Sequence, residues 1–226
     1  MPNKYRSRGR RSQAEAERTR GRLLRCAEKL FAAKGYRGVS VREVARAAGV
    51  QNFTVQAHFG SKLDLYRTLL SRWDEEIRGR VSQALLESTD VPSFIERVVE
   101  DIFEFMVANR RWVTLWARAR LGEGIPTSDM VRDHGWMHFM SKTVAERKMN
   151  VTGVDLRLLL ISLEGILNNH VLADAHYRHL FGTDLNDTRT RELTKAHLKR
   201  LILAIVGGQR SAPASGARRS RSRRGA

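Results

Sequence analysis

The sequence has few of the residues that mark disulfide-rich, hairpin-rich or membrane-spanning proteins. Its 226 residues include one cysteine, Cys26, which excludes a disulfide framework and a multi-cysteine metal site. Only four prolines occur, and no glycine follows asparagine or aspartate, so the signal for tight β-hairpins is missing. No apolar run approaches the ~18 residues of a membrane span, and no apolar stretch follows the arginine-rich N-terminus. We therefore expect a cytoplasmic, mainly helical protein with no membrane partner.

Positive charge is concentrated at the two ends of the chain. Residues 1–25 hold nine lysines and arginines against two acids, and residues 207–226 hold six arginines and no acid. Residues 26–66 add a net charge of +3, so residues 67–206 contribute only +1 of the total of +17. Such a distribution indicates a polyanion partner, contacted from the first domain and from the ends. Basic tails that merely keep the chain soluble remain an alternative, above all for the C-terminal tail.

Apolar patterning divides the chain into two folded parts and two tails. Residues 1–16 and 207–226 are poor in large apolar residues and rich in arginine and small residues, which predicts a disordered basic arm and a disordered basic tail. Between them, apolar residues recur at helical spacing nearly everywhere. We therefore expect an all-α fold with a small head at 17–77 and a larger helical body at 80–206.

Cap signals mark four helices in the head. The first ends at Lys34-Gly35, and Ser40 with Glu43 forms a capping box that begins the second. A third helix covers roughly 52–59, and a fourth opens at Ser61. Helices of the body are expected from about residue 90, over 110–120, and at about 128–147, 155–180 and 188–206.

The last two of these helices carry more apolar surface than a monomer needs. Leu156–Leu167 and Leu201–Val206 are apolar on nearly every side. A surface helix of a monomer is apolar along one stripe only. We therefore expect a homodimer formed through the helices at about 155–180 and 188–206.

Residues 40–59 have the pattern of a helix-turn-helix, in which the second helix enters the major groove of DNA. From about Thr19 to Trp73 the sequence resembles the TetR family of tetracycline-repressor-like regulators. The matching pieces are Ala27-x-x-Leu30-Phe31-x-x-x-Gly35, Ser40-Val41-x-x-Val44-Ala45-x-x-Ala48-Gly49-Val50 and Phe59-Gly60-Ser61-Lys62-x-x-Leu65. The resemblance implies an N-terminal three-helix DNA-binding domain and a larger helical domain for ligand binding and dimerisation. It also implies a bacterial repressor that binds a pseudo-palindromic operator in double-stranded DNA as a dimer and is released by a small apolar effector.

The resemblance also implies roles for single residues. Positions that contact phosphate in the family are occupied by Arg42, Thr54, His58 and Lys62, and Arg42 also lies where some members reach a base. The sequence departs from the family at Gln51, Phe53 and Gln56, where a serine, a glycine and a tyrosine are favoured. Gln51, Asn52 and Gln56 are candidate base readers because their amides form paired hydrogen bonds with adenine. Phe53 either touches a thymine methyl group or packs on the first helix.

Other chemistry is weakly signalled. Four apolar residues of the body are candidates to line an effector cavity, although ordinary core packing explains them as well: Phe105, Trp112, Trp116 and Met137. Several histidines share helix faces, but no metal-binding pattern is complete, so no metal and no cofactor are expected. No nucleophile elbow or phosphate-binding loop occurs, so we do not expect an enzyme. A basic architectural protein that coats DNA without an effector is the alternative from another class.

Overall fold

The structure, a computed structural model, describes residues 4–123 and 156–207 together with residues 142 and 146. All regular structure in these residues is helical, which confirms the all-α fold class. Apart from residues 142 and 146, the predicted helix at about 128–147 lies outside the described residues, and so do the candidate Met137 and residues 208–226 of the C-terminal tail. Within the described part, no helix combines the length and apolar character needed to cross a membrane.

The head consists of four helices, and apart from the start of α1 the predicted boundaries lie close to the observed ones. They are α1 (Lys4–Lys34), α2 (Val41–Ala48), α3 (Asn52–Phe59) and α4 (Lys62–Leu86). Their apolar faces meet in one core, whose fully buried members include Leu23, Phe31, Val44, Leu65 and Tyr66. The Tyr66 ring meets the Phe31 ring edge-on at 5.1 Å and the Tyr36 ring at 5.0 Å. This aromatic cluster joins α1 to α4 and fixes the platform on which α2 and α3 pack.

The structure corrects the prediction of a disordered arm at residues 1–16, because α1 already begins at Lys4. Low content of large apolar residues indicated disorder, but the segment 10–20 is rich in Ala, Gln, Glu and Arg, which have high helix propensity. A helix nucleated by the buried Leu23 and Ala27 propagates at low cost through such residues. The basic arm is therefore a helical extension of the head over residues 4–16.

The body continues with α5 (Val91–Arg97), a π-helical segment (Val98–Ile102), α6 (Phe103–Ala108) and α7 (Arg110–Arg120). After the residues that are not described come α8 (Leu156–Leu172), α9 (Asp174–Phe181) and α10 (Thr188–Gly207). The expected helix at about 155–180 is thus interrupted at Ala173. The break turns α9 so that the buried Tyr177 hydroxyl reaches His170 Nδ1 at 2.6 Å and Thr194 Oγ1 at 3.1 Å.

A buried ammonium group ties α10 to the middle of the body. The Lys195 side chain is 5% exposed, and its Nζ lies 2.5 Å from Glu100, 2.8 Å from Glu104 and 2.7 Å from Glu192. Burial alone lowers the pKa of a lysine, but the three carboxylates outweigh it, and the net effect raises the pKa of Lys195. The three acids hold this cation, so their cluster is explained without a metal ion.

Two connections join the head to the body. Helix α4 runs continuously from one to the other, and α1 packs along α7. Where α1 packs along α7, Arg111 Nε lies 3.3 Å from Glu28 Oε1. Gly35, in the left-handed conformation at φ 71°, lies so close to Glu123 that an added Cβ would meet its carboxylate at 2.5 Å. The two parts are thus closely packed at this junction.

Candidate nucleic-acid interface

The capping box that begins α2 is present as predicted. Ser40 Oγ accepts a hydrogen bond from Glu43 N at 3.2 Å, and Glu43 Oε2 accepts one from Ser40 N at 2.7 Å. Lys34 Nζ adds an ion pair to Glu43 Oε1 at 2.8 Å. The Lys34 hydrogen bond, followed by the bonds from Ser40, lowers the pKa of Glu43 to about 2. The start of α2 is therefore anchored to the end of α1.

The turn between α2 and α3 depends on Gly49, which has φ 64° and ψ 39°. Space is not the reason for glycine here, because a Cβ at this position would have no neighbour within 4 Å. The reason is the left-handed backbone, which side chains disfavour. Val50 N donates to Ala45 O at 3.0 Å and closes the end of α2. The chain then enters α3 immediately, as a helix-turn-helix requires.

Helix α3 buries one apolar face and exposes a face of mixed character. Val55 and Phe59 are buried against the head core, whereas Gln56 and Ala57 are exposed. Phe53 is 68% exposed, so it does not pack on the first helix. Of the two roles predicted for Phe53, packing on the first helix is not observed, and contact with a thymine methyl group stays a prediction. An exposed aromatic ring on this face of a short helix is an unusual feature that suits an apolar base edge such as a thymine methyl group.

The N-terminal turn of α3 carries two further candidate base readers. Gln51 has the extended backbone of an N-cap residue, but its side chain makes no capping hydrogen bond and stays exposed. Asn52 is half-buried, and its Oδ1 is buried without a hydrogen-bond partner. The Gln51 side chain is therefore exposed, while the carbonyl oxygen of Asn52 faces inward.

The predicted phosphate-contacting residues lie on α3 and at the starts of the two neighbouring helices, α2 and α4. Arg42 is exposed in the first turn of α2, and Thr54 and His58 are half-buried on α3. Lys62 begins α4, and its Nζ lies 4.2 Å from the centre of the Tyr36 ring. Partial burial lowers the pKa of Lys62. The cation is thus held by an aromatic face beside the free amides of the first turn of α4, a position that favours an anion.

Sequence reasoning missed the role of Arg20, which it counted only among the basic residues of 1–25. Arg20 Nη1 donates a hydrogen bond to His58 O at 3.2 Å, and its guanidinium lies 4.6 Å from the centre of the Phe59 ring. A cation at the C-terminal end of a helix also opposes the helix dipole. Arg20 therefore fastens the end of α3 to α1. Nothing in the local sequence signals this contact, because 38 residues separate its two partners.

The body contains a cavity of about 80 Å³ beside α4, and its position differs in part from the expected effector site. Trp116 lines the cavity, but Phe105 and Trp112 do not. Both instead stack on Trp73, with ring centroids 5.2 Å and 6.1 Å from it. The Arg80 guanidinium lies 4.0 Å from the centre of the Phe105 ring and extends this stack. Phe105 and Trp112 thus pack on Trp73 and do not line this cavity, and a role for them in an effector site stays a prediction.

Comparison with known proteins finds similarity to regulatory proteins in the part of the chain that contains the helix-turn-helix. Residues 23–69 match the model of the family described as bacterial regulatory proteins, tetR family. The transcriptional activator FasR of Mycolicibacterium smegmatis is 37% identical over 87 residues, which are 38% of this chain and 40% of FasR. The transcriptional repressor NicS of Pseudomonas putida is 26% identical over 111 residues, 49% of this chain and 52% of NicS. The chain thus matches about half the length of these relatives or less.

The fold of nearly the whole chain recurs in a solved structure of low sequence identity. The regulator FadR of Bacillus subtilis, crystallised in complex with stearoyl-CoA, matches 82% of this chain and 96% of its own with a TM-score of 0.59 and 14% identity. The likeness concerns the all-α architecture of head and body.

Proposed function

We propose that this chain, which belongs to the TetR family of bacterial regulatory proteins, is a repressor that binds a pseudo-palindromic operator as a dimer and is released by a small effector. The observation that carries the proposal is the helix-turn-helix, in which α3 exposes Phe53 and Gln56 while Val55 and Phe59 anchor it. A helix held in this way is suited to lie in the major groove. Because FasR is named an activator and NicS a repressor, the direction of regulation is part of the proposal.

Within the interface, Gln51, Asn52, Phe53 and Gln56 set sequence preference, whereas Arg42, Thr54, His58 and Lys62 set affinity. Contacts with base edges carry sequence information, and contacts with phosphates position the protein. The exposure of Gln51, Phe53 and Gln56 supports their role, since each is free to meet a base edge. Asn52 needs a rotation of its amide to present both polar atoms to a base, because its Oδ1 is buried.

The proposed dimer forms through α8 and α10. Leu159, Leu163 and Leu167 of α8 face the core, yet Leu158 and Ile161 on the same helix are 64% and 45% exposed. On α10, Leu193 is 58% exposed and Ile205 is 43% exposed. Each helix thus has one apolar face in the core and a second apolar face that is exposed. This supports a two-fold symmetric interface in which α8 and α10 of both subunits form a four-helix bundle.

A direct test of the dimer uses two exposed leucines. Leu158→Glu places a charge on the proposed contact, and Leu121→Glu places one on another surface, where Leu121 is 85% exposed. In sedimentation at micromolar concentration, the wild type and Leu121→Glu are expected to be dimers and Leu158→Glu a monomer. A monomeric wild type would contradict the proposal.

Effector control is proposed to act through α4. Trp73, Ile77 and Val81 of α4 line the cavity, while Leu65 and Tyr66 of the same helix are buried in the head. A ligand that fits only one position of α4 would change the spacing of the two α3 helices in a dimer and thereby shift the equilibrium between bound and released states. The described cavity is too small for an acyl chain as long as that of stearoyl-CoA without rearrangement.

The test of DNA binding is selection of bound fragments from the source genome, followed by footprinting. A regulator protects one pseudo-palindromic site, whereas an architectural protein that coats DNA protects it without preference. Gln56→Ala is expected to relax preference at one base pair by ~1–3 kcal/mol. Gln83→Ala, which removes an exposed glutamine from the body part of α4, is the matched control and is expected to change nothing. Uniform protection with every variant would favour the coating protein.

A further inference from the structure

The cavity in the body has walls that restrict the chemistry of its ligand. Residues of α4, of α5 with its π-helical continuation, of α6, α7 and α8 line it. We propose that the effector is a small, uncharged molecule with an apolar body and one hydrogen-bonding group, and that anions and cations are rejected. This inference rests on the proposed function, in which an effector controls DNA binding.

Most of the wall is apolar. Ten of the described lining residues are apolar, among them Trp73, Phe94, Met106, Trp116 and Leu163. The cavity volume of about 80 Å³ is roughly half of the ~150 Å³ that admits benzene in an engineered apolar cavity. A single ring therefore needs the cavity to widen, and Met106 is the lining residue best suited to adjust, because methionine has several accessible rotamers. A long chain needs a larger rearrangement.

Two carboxylates in the wall are already neutralised. Asp74 Oδ2 lies 2.5 Å from Arg78, and the Asp74 side chain is 11% exposed. Glu164 Oε1 lies 2.7 Å from Arg120 and accepts a hydrogen bond from Trp116 Nε1 at 2.8 Å. Among the described lining residues there is no lysine, arginine or histidine. An anionic ligand would therefore lose its hydration next to two carboxylates and gain no cation.

A cationic ligand is disfavoured by the same pairs. Asp74 and Glu164 each form a close ion pair already, with Arg78 and Arg120, so a cationic ligand would meet carboxylates whose charge is balanced. Glu164 Oε1 also accepts the hydrogen bond from the Trp116 indole. The neighbouring guanidinium groups repel a second cation, and the remaining attraction does not offset the dehydration of the ligand.

Among the described lining residues, the side chain of Asn168 is available for a hydrogen bond. Asn168 lies one turn after Glu164 on α8 and is half-buried, and its side chain makes no hydrogen bond to any residue in the described part of the chain. Its amide offers both a donor and an acceptor without a charge. A hydroxyl, carbonyl or amide group of a neutral ligand is the complement of this side chain.

Four probes that share one ring test this inference: toluene, benzyl alcohol, benzoate and benzylamine. Binding is followed through the indole N–H resonance of Trp116, which lines the cavity, with that of Trp112, which does not, as an internal reference. Benzyl alcohol is expected to bind about fivefold more tightly than toluene, as one hydrogen bond implies. It is expected to bind at least ~10-fold more tightly than benzoate or benzylamine. Equal binding of either ion, or no response of Trp116 to any probe, would overturn the inference.

A pair of variants assigns the hydrogen bond to Asn168. Asn168→Leu is expected to abolish the advantage of benzyl alcohol over toluene, and leucine is chosen because alanine would enlarge the cavity. Asn169→Leu, one residue further on α8 and exposed, is the matched control and is expected to keep the advantage. An advantage that survives in Asn168→Leu would refute the assignment.

Operator affinity measured with and without benzyl alcohol separates this inference from the proposed function. If the probes bind with the expected selectivity but operator affinity does not change, the inferred ligand chemistry is supported and release by an effector is refuted.

Discussion

Arg20 provides the sharpest link between packing and DNA binding, and replacing it with alanine tests that link. The substitution removes the hydrogen bond to His58 O and the contact with the Phe59 ring, both at the C-terminal end of α3. A half-buried hydrogen bond from a charged group contributes about 1 kcal/mol, and a partly exposed cation–π contact about 0.5–1 kcal/mol. We therefore expect Arg20→Ala to lower the free energy of unfolding by about 1.5–2 kcal/mol, or Tm by about 3–8 °C.

Arg22→Ala is the matched control, because Arg22 lies two residues further along α1 and is exposed. Its substitution is expected to change stability by less than about 0.5 kcal/mol. Thermal unfolding followed by circular dichroism measures both variants under the same conditions. Equal destabilisation by the two substitutions would refute the assigned role of Arg20.

DNA binding distinguishes a positioning residue from a phosphate contact. If Arg20 only holds α3 in place, Arg20→Ala weakens operator binding and leaves the slope of log affinity against log salt unchanged. Removal of a direct phosphate contact would instead reduce that slope by ~0.9. A reduced slope for Arg20→Ala would therefore show that the guanidinium meets DNA directly. Arg20→Lys, which keeps the charge but not the planar stacking, is expected to fall between wild type and alanine in stability.

Three further predictions concern the capping box of α2, the start of α3 and the two basic ends of the chain. The pKa of Glu43 is lowered to about 2 in the folded state. The ionised Glu43 carboxylate therefore contributes to stability above about pH 4.5, and this contribution is lost as the pH falls towards 2. Glu43→Gln should flatten the acid side of a plot of Tm against pH. Gln51→Ser should stabilise the head by about 1 kcal/mol in chemical denaturation, because a serine supplies the missing cap of α3, and should alter sequence preference in a binding-site selection. Deleting residues 1–16 should reduce the slope of log operator affinity against log salt by several units, because each phosphate that the arm neutralises contributes ~0.9 to that slope. Deleting residues 210–226 should change the slope little. The opposite result would favour the DNA-coating alternative.

Local signals predicted the helices of the head well. Ser40 with Glu43 and Ser61 with Asp64 are cap patterns that act within one turn, and both form the expected hydrogen bonds. The turn at Gly49 was predictable for the same reason, because a left-handed backbone selects glycine. These features depend on neighbours a few residues away, and so they can be recognised in a single sequence.

The start of α1 and the break at Ala173 were not predictable in this way. The disorder expected for residues 1–16 rested on composition, which does not register that a helix nucleated at Leu23 can extend outwards. The break at Ala173 lets the Tyr177 hydroxyl meet His170 and Thr194 on two other helices. The contact with Thr194 joins residues 17 apart on separate helices, and such a contact leaves no signal in the local sequence.

The amino-acid sequence by itself determined the helix-turn-helix, because caps, glycine turns and apolar spacing act over one or two turns. Only the tertiary structure decided which aromatic residues face the cavity. Trp112 and Trp116 lie one turn apart on α7, yet the first stacks on Trp73 and the second lines the cavity and donates to Glu164. Helical spacing groups side chains on one face, but the neighbour that each one meets depends on how separate helices cross.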